Sequence, residues 1–231
     1  MKVDYISHMG NDLQVVNAAR VSFDKESEWI YEILDQPEHD PITWFDIKTL
    51  CPKDTKLISY LAKHNHFTPF THCMITLRET VPIFVARQRF KHTVGFTYNE
   101  VSRRYVDDEP KFYYPLWRLR AENKKQGSGN NVDKRHQHEA TCAYEEALEA
   151  CLDCYNNLIR SGVAPEQARM ILPQSMYTSY YVTGSLAAFA RAYNLRSQED
   201  AQMEIQELAA LWSNIIEPLF PVSWENLVNE V

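Results

Sequence analysis

Cys73-Met74-Ile75-Thr76-Leu77-Arg78-Glu79-Thr80-Val81-Pro82-Ile83-Phe84-Val85-Ala86-Arg87-Gln88-Arg89-Phe90-Lys91-His92 is the stretch from which the architecture can be read. Cys73, Ile75, Leu77 and Val81 alternate with Thr76, Arg78 and Thr80, the period of two that a strand with one buried face requires. Pro82 suits the first turn of a following helix, because the N–H it lacks is one that a helix start leaves unbonded anyway. That helix is expected to run to about His92.

From Arg87 to Tyr105 the chain becomes too polar to be core. Between Arg87 and Arg104, five Arg/Lys against Glu100 give +4 in a chain whose total charge is −7, leaving −11 for the remainder. Such a basic island wants an anion. Guanidinium groups grip phosphate as rigid forks, and Gln88, Asn99 and Ser102 can complete the shell with neutral hydrogen bonds. The island is expected to begin on the helix and end in a loop, with Gly95 as the flexible joint between them.

Working outward, Val15–Val21 reads as a short helix or turn leading into Ser22 and Phe23. Thr55–His64 reads as an amphipathic helix with Leu57, Ile58 and Leu61 inward, and His64–His72 as a polar connector. Beyond Tyr105, aromatic and Pro-punctuated residues lead to a polar tract at about 121–138, expected to be a mobile surface excursion. Helical periodicity then resumes with Tyr144, Leu148, Cys151, Leu152, Tyr155 and Leu158 and stops at Gly162. Pro165 opens another helix that Pro173 ends near Leu172. Ser185 can cap a helix over Leu186–Tyr193, and a last long helix, Ala201–Ile216, sets Ile205, Leu208, Trp212 and Ile215 on one face. No internal repeat is visible.

A chain of 231 residues, 45% hydrophobic with six glycines, suits one globular domain spanning residues 1–231. No apolar run is long enough for a bilayer, and the polar start Met1-Lys2-Val3-Asp4-Tyr5 is not a secretory signal, so a cytoplasmic location is expected, the host cytoplasm if the source is viral. Five cysteines, odd in number and sparse, argue against a disulfide framework. Cys151 and Cys154 form a C-x-x-C inside a helical pattern and read as buried structural thiols. The acidic total disfavours nucleic-acid or anionic-membrane binding and favours a small anionic ligand.

His64, His66, His72 and Cys73 offer imidazole and thiolate within ten residues, but with poor ligand spacing; they read as structural or ligand-contacting groups, and no metal is expected. No cysteine stands in an activating loop, there is no Gly-x-Ser-x-Gly elbow, and glycine-rich phosphate loops are absent. Any nucleotide must therefore be held by side chains. Arg20, Arg169 and the Arg191–Arg196 segment place guanidinium groups beside small or apolar residues, where an unpaired charge is costly. With the island, they suggest one shared anionic ligand.

These residues resemble the flavin-dependent thymidylate synthases. The resemblance rests on Met9–Leu13 with Ala18–Ser22, His66–His72, Asn99–Tyr105, Ala168–Pro173 and Asn194–Arg196, five motifs in order over nearly the whole chain. It implies an α+β fold: a single mixed α/β domain with a central antiparallel sheet and a helical portion, assembled as a homotetramer with active sites between subunits. It also implies conversion of dUMP to dTMP with FAD, methylenetetrahydrofolate as carbon donor and NADPH as reductant. Reduced flavin would supply a hydride to the pyrimidine, so no cysteine need attack it. Carried over, Gln88, Arg89, Phe90, Lys91, Glu100, Val101, Ser102, Arg103, Arg104, Arg169 and Arg196 would bind dUMP, with Arg104 on the phosphate. Arg196 would be catalytic by favouring ionisation at N3 of the uracil ring. FAD would be contacted by Ser22, His66, Thr68, Lys91, His92, Thr93, Glu100, Ser185, Leu186, Ala187 and Arg191.

The chain departs from the family pattern in places. Lys91-His92-Thr93 replaces the usual Arg-His-Arg, the run to Ser102 is one residue longer, and Ser185, Arg191 and Asp200 stand where Asn, Asn and His are common. Two rival readings use the same residues: a non-catalytic nucleotide or single-stranded nucleic-acid binder stacking bases on Tyr98, Tyr105, Tyr113 and Tyr114, and a metal-dependent hydrolase built on His64, His66 and His72.

Overall fold

The computed structural model describes residues 1–32, 47–105, 108–122 and 127–228. The elements in order are β1 (Lys2–Met9), α1 (Asp12–Arg20), β2 (Ile30–Glu32), β3 (Ile47–Thr49), α2 (Pro52–Lys63), β4 (Met74–Pro82), α3 (Ile83–Arg89), β5 (Phe96–Glu100), β6 (Arg118–Arg120) and β7 (Ser128–Asn131). They are followed by α4 (Lys134–Arg160), α5 (Pro165–Ala168), β8 (Tyr177–Ser185), α6 (Leu186–Arg196), α7 (Met203–Ile216) and α8 (Pro221–Val228).

A central four-stranded sheet runs in the order β1-β4-β8-β5, with every neighbouring pair antiparallel. The alternation expected on β4 is present: Cys73, Ile75, Leu77 and Val81 are buried. Glu79 falls in the same phase and is buried with them. On β8, Tyr180 and Val182 face the same core, against Phe189 of α6, Trp212 of α7, and Phe220 and Trp224 at the chain's end. Each fully buried side chain of this size contributes about 1.5–3 kcal/mol of apolar transfer, so this helix-covered face is the main source of cohesion. The other face carries a hydroxyl ladder, with Thr76 bonded to Thr183 at 2.9 Å and Arg78 Nε donating to Ser179 Oγ at 3.0 Å.

Several local expectations need correction. Pro82 closes the strand and caps α3 in extended conformation, and α3 ends at Arg89 rather than near His92. The island does end outside regular structure, in the turn over 101–105, but a strand precedes that turn. Phe96–Glu100 forms β5, paired with β8 from Phe96↔Gly184 to Glu100↔Tyr180. That pairing needs glycine at 184, since a Cβ there would lie 2.4 Å from the Phe96 ring. Gly95 has φ +80°, as expected of the joint.

The connector after α2 is exposed over residues 64–68, as a polar connector should be, and then folds into a 3-10 turn over Thr68–Thr71 that buries Pro69 and Phe70. The tract at 121–138 contains β7, paired with β6, and the first turns of α4; residues 123–126 lie outside the described part. Asp133 starts α4 early, its carboxylate accepting from the N–H groups of Arg135 and His136. On α7, Ile205, Leu208, Trp212 and Ile216 are buried, whereas Ile215 is only partly so. The helix α8, not expected from sequence, is capped from the other end of the chain: Asp12 accepts from Val222 N–H at 2.9 Å and Ser223 N–H at 3.0 Å. Among the described residues, no helix is long and apolar enough to cross a membrane.

Candidate active site

β5 ends where the island turns outward. Thr178 Oγ1 donates to Glu100 Oε1 at 2.6 Å and Val101 N–H to Ser179 O at 2.9 Å, pinning the last strand residue to β8. The chain then turns, and Ser102 Oγ accepts from both the backbone N–H of Arg104 (3.3 Å) and its Nε (3.2 Å). Arg103 donates to the carbonyl of Asp108. Across the opening, the 3-10 turn after α5 presents Arg169, whose Nε donates to Glu166 O at 3.2 Å. Glu100, Val101, Ser102, Arg103, Arg104 and Arg169 thus line one cavity of about 480 Å³ floored by apolar Met176 and Leu172. Among the described residues, neither Arg104 nor Arg169 has a carboxylate partner. Three guanidinium groups against one carboxylate make this an anion pocket with an acceptor at its edge.

A second, two-lobed groove lies around Phe67, which is 62% exposed. One lobe, about 540 Å³, takes Ser22, Phe23, Tyr60, His66 and Thr68; the other, about 610 Å³, takes Ala187, Arg191, Asn194 and Leu195, and Asn65 borders both. Arg191 is steadied by donating to the carbonyl of Val94 at 2.5 Å. Of Ser185, Leu186 and Ala187, Ala187 alone lines the groove, while Ser185 Oγ caps Ala188 N–H at 3.2 Å and Leu186 is fully buried. Apolar rings beside amide, hydroxyl, imidazole and guanidinium donors form a set that fits the flat ring systems and phosphates of a flavin dinucleotide.

The junction after α3 holds the third group. Gln88 Nε2 donates to Gln202 Oε1 at 2.5 Å, and the Phe90 ring packs edge-on against Tyr98 and Tyr180. Lys91 and Thr93 are exposed. Arg89 was expected on dUMP and is instead 0% exposed. Its Nε lies 3.2 Å from both Glu79 carboxylate oxygens, its Nη1 donates to Tyr98 OH at 2.7 Å, and its guanidinium lies 4.3 Å and 4.5 Å from the ring centres of Phe96 and Trp212. It is a core ion pair, because Glu79 sits on the inward phase of β4. Buried His92 accepts at Nε2 from Arg196 Nε at 2.9 Å; burial and then the cations Arg196, Arg89 and Arg191 lower its pKa to about 4.

Arg20 likewise has a structural role. Its Nε donates to Asp54 at 3.0 Å, and although burial opposes the Asp54 charge, hydrogen bonds from Arg20, Cys51 and Ser27 hold that carboxyl below its usual range. Burial pushes the Cys73 thiol up to about 11, which leaves it unsuited to nucleophilic work. Cys154 is exposed on α4 rather than buried. The anion pocket opens at the Glu100 end of β5, whereas Val94, bonded to Arg191, lies beyond its other end; five strand residues separate them by about 16 Å. Arg104 lines the anion pocket, and Arg196 is not among that pocket's lining residues.

The family model described as thymidylate synthase complementing protein matches residues 4–222. The chain belongs to this family, that of the flavin-dependent thymidylate synthases. Among its members, the flavin-dependent thymidylate synthase of Thermosipho africanus is 35% identical over 221 residues, covering 95% of this chain and 87% of that protein. That of Kosmotoga olearia is 35% identical over 223 residues, covering 96% and 87%. Among solved structures, the UMP/dUMP methylase PolB from Streptomyces cacaoi bound with 5-Br UMP superposes with a TM-score of 0.81 at 27% identity, over 99% of this chain and 93% of that one. Its form with 5-Br dUMP gives 0.80 at 26% identity, over 99% and 94%. This flavin-dependent thymidylate synthase family member thus shares its overall fold, the four-stranded antiparallel sheet with its helices, with the solved methylase.

Proposed function

We propose that this chain is an FAD-dependent thymidylate synthase that methylates dUMP to dTMP, with methylenetetrahydrofolate as carbon donor and NADPH as reductant. The observation that carries this reading is the pocket in which Arg104 and Arg169, unpaired among the described residues, converge with Ser102 and Glu100. A nucleotide monophosphate satisfies all four at once. The phosphate takes the guanidinium groups, while Ser102 and the Glu100 carboxylate meet ring and sugar donors. Solved relatives bound to 5-Br UMP and 5-Br dUMP support that choice of ligand.

FAD fits the two-lobed groove, with Ser22, His66, Thr68, Ala187 and Arg191 as its contacts, and would supply the hydride once reduced. The chain's own residues orient and polarise. Arg196 stabilises negative charge that develops at N3 of the pyrimidine, where a cation lowers the pKa of the departing proton.

A homotetramer with intersubunit sites completes the reading. Arg104 and Arg196 stand beyond opposite ends of β5, so one nucleotide meets both only if a second copy supplies one of them. Phe23, Phe67, Tyr105 and Met170, large apolar groups exposed beside the two cavities, support coverage by ligand or partner.

Purified, FAD-loaded protein should form dTMP from dUMP, methylenetetrahydrofolate and NADPH under reducing, oxygen-limited conditions, read by product chromatography. No methylated product from dUMP rejects the reading. A parallel reaction with UMP decides whether the ribonucleotide is also accepted.

A further inference from the structure

His92, in the turn after α3, and Arg196, in the last turn of α6, meet across 104 positions of sequence, and chemistry fixes the polarity of their contact. Arg196 Nε lies 2.9 Å from His92 Nε2. A guanidinium N–H only donates, so Nε2 must present its lone pair, and a neutral ring then keeps its proton on Nδ1. No protein acceptor meets that Nδ1–H among the described residues, and no carboxylate there pairs with Arg196. The charged groups facing the ring are cations: Arg196 and Arg191 from α6 and Arg89 from α3.

The backbone under the ring is fixed from the core. Tyr98 OH donates to the His92 carbonyl at 2.8 Å and accepts from Arg89 Nη1 at 2.7 Å, while Arg89 is held by Glu79, which also accepts from Tyr180 OH at 2.6 Å. The buried ion pair thereby sets the position of a residue at the edge of the site.

We propose that His92 is a positioning residue for Arg196: its Nε2 lone pair holds the guanidinium at Nε, leaving the terminal nitrogens of Arg196 and the Nδ1–H of His92 for ligand acceptors. The kinetic consequence rests on the thymidylate synthase reading; the proton arrangement does not. Lysine could not replace Arg196 here, because its single nitrogen lacks the fork that bonds a histidine at one position and a ligand at the others.

Two measurements test it on the full-length, FAD-loaded protein. In long-range ¹H–¹⁵N spectra of histidine-labelled protein, with the His92 signal assigned by its loss in His92→Gln, the ring should be the neutral Nδ1–H form at pH 7 and remain so below pH 5. In Arg196→Met it should titrate closer to an ordinary histidine. An Nε2–H or imidazolium form at pH 7 overturns the proposal. In steady-state kinetics on flavin-saturated variants, His92→Leu should lower kcat about tenfold with KM for dUMP nearly unchanged, and His92→Gln, whose side-chain carbonyl still accepts, should recover most of it. Equal kcat in the two variants also overturns it. If the wild type forms no dTMP, the functional reading fails, and the tautomer still decides the positioning role.

Discussion

Arg89 and Arg104 belong to the same basic island and have opposite fates. Arg89 points inward from α3, loses all contact with solvent, and is neutralised by Glu79 among four aromatic rings. Arg104 points outward from the turn after β5, braced by Ser102 and stacked 5.2 Å from the ring of Tyr105, which is itself 79% exposed. A buried guanidinium must be paired, and Arg89, paired and shut away from solvent, is out of a ligand's reach. An exposed one costs little to leave unpaired and is available to bind. Charge clustering along a sequence does not separate the two cases; the partner on the neighbouring strand does.

Breaking the inner pair should have the largest effect. Glu79→Ala or Arg89→Met strands a charge in the core and should destabilise by about 3–5 kcal/mol, read by denaturant unfolding, while the double replacement Glu79→Met/Arg89→Leu should recover much of that loss. Arg104→Ala should leave stability within about 0.5 kcal/mol. If the two sites cost the same, the contrast is wrong.

The outer arginine should show itself in binding instead. Arg104→Ala removes a charge-assisted phosphate contact and should weaken dUMP by about 1.5–3 kcal/mol, roughly one to two decades in affinity, with an unchanged unfolding midpoint.

Next in size is a pH effect at His92. Its folded pKa is lowered from 6.5 to about 4, so between those values the unfolded chain binds a proton that the folded chain does not. Stability should therefore fall as pH drops through that window, by about 1–3 kcal/mol, and His92→Gln should flatten this part of the profile. A wild type and variant with parallel profiles would remove His92 from the account.

Smallest is the link between chain ends. Asp12→Ala frees two N–H groups of α8 and should cost about 1–2 kcal/mol in unfolding free energy.

Much of this was legible in sequence where one side chain acts on its neighbours. The β4 alternation, the Ser185 cap and the α7 stripe are local, and residues 100–104 and Arg169, drawn from two of the five ordered motifs, come together around one cavity. What was not legible depends on distant partners. Glu79 lies in phase with Ile75, Leu77 and Val81, and that acidic residue at an inward position was the signal that a buried cation must exist; Arg89 is that cation. Adjacent Tyr180 and Tyr181 blur the alternation of β8, and β5 is a polar stretch that only pairing with β8 makes a strand. Arg20 looked like a ligand group because Asp54 is remote in sequence.

The most direct test of the central claim compares equilibrium binding of dUMP and deoxyuridine to the wild type and to Arg104→Ala/Arg169→Ala. If these outward arginines read the phosphate, the wild type should prefer dUMP by about two decades or more, and the folded double variant should lose most of that preference. A double variant that discriminates as well as the wild type, or a wild type with no preference, would contradict the account.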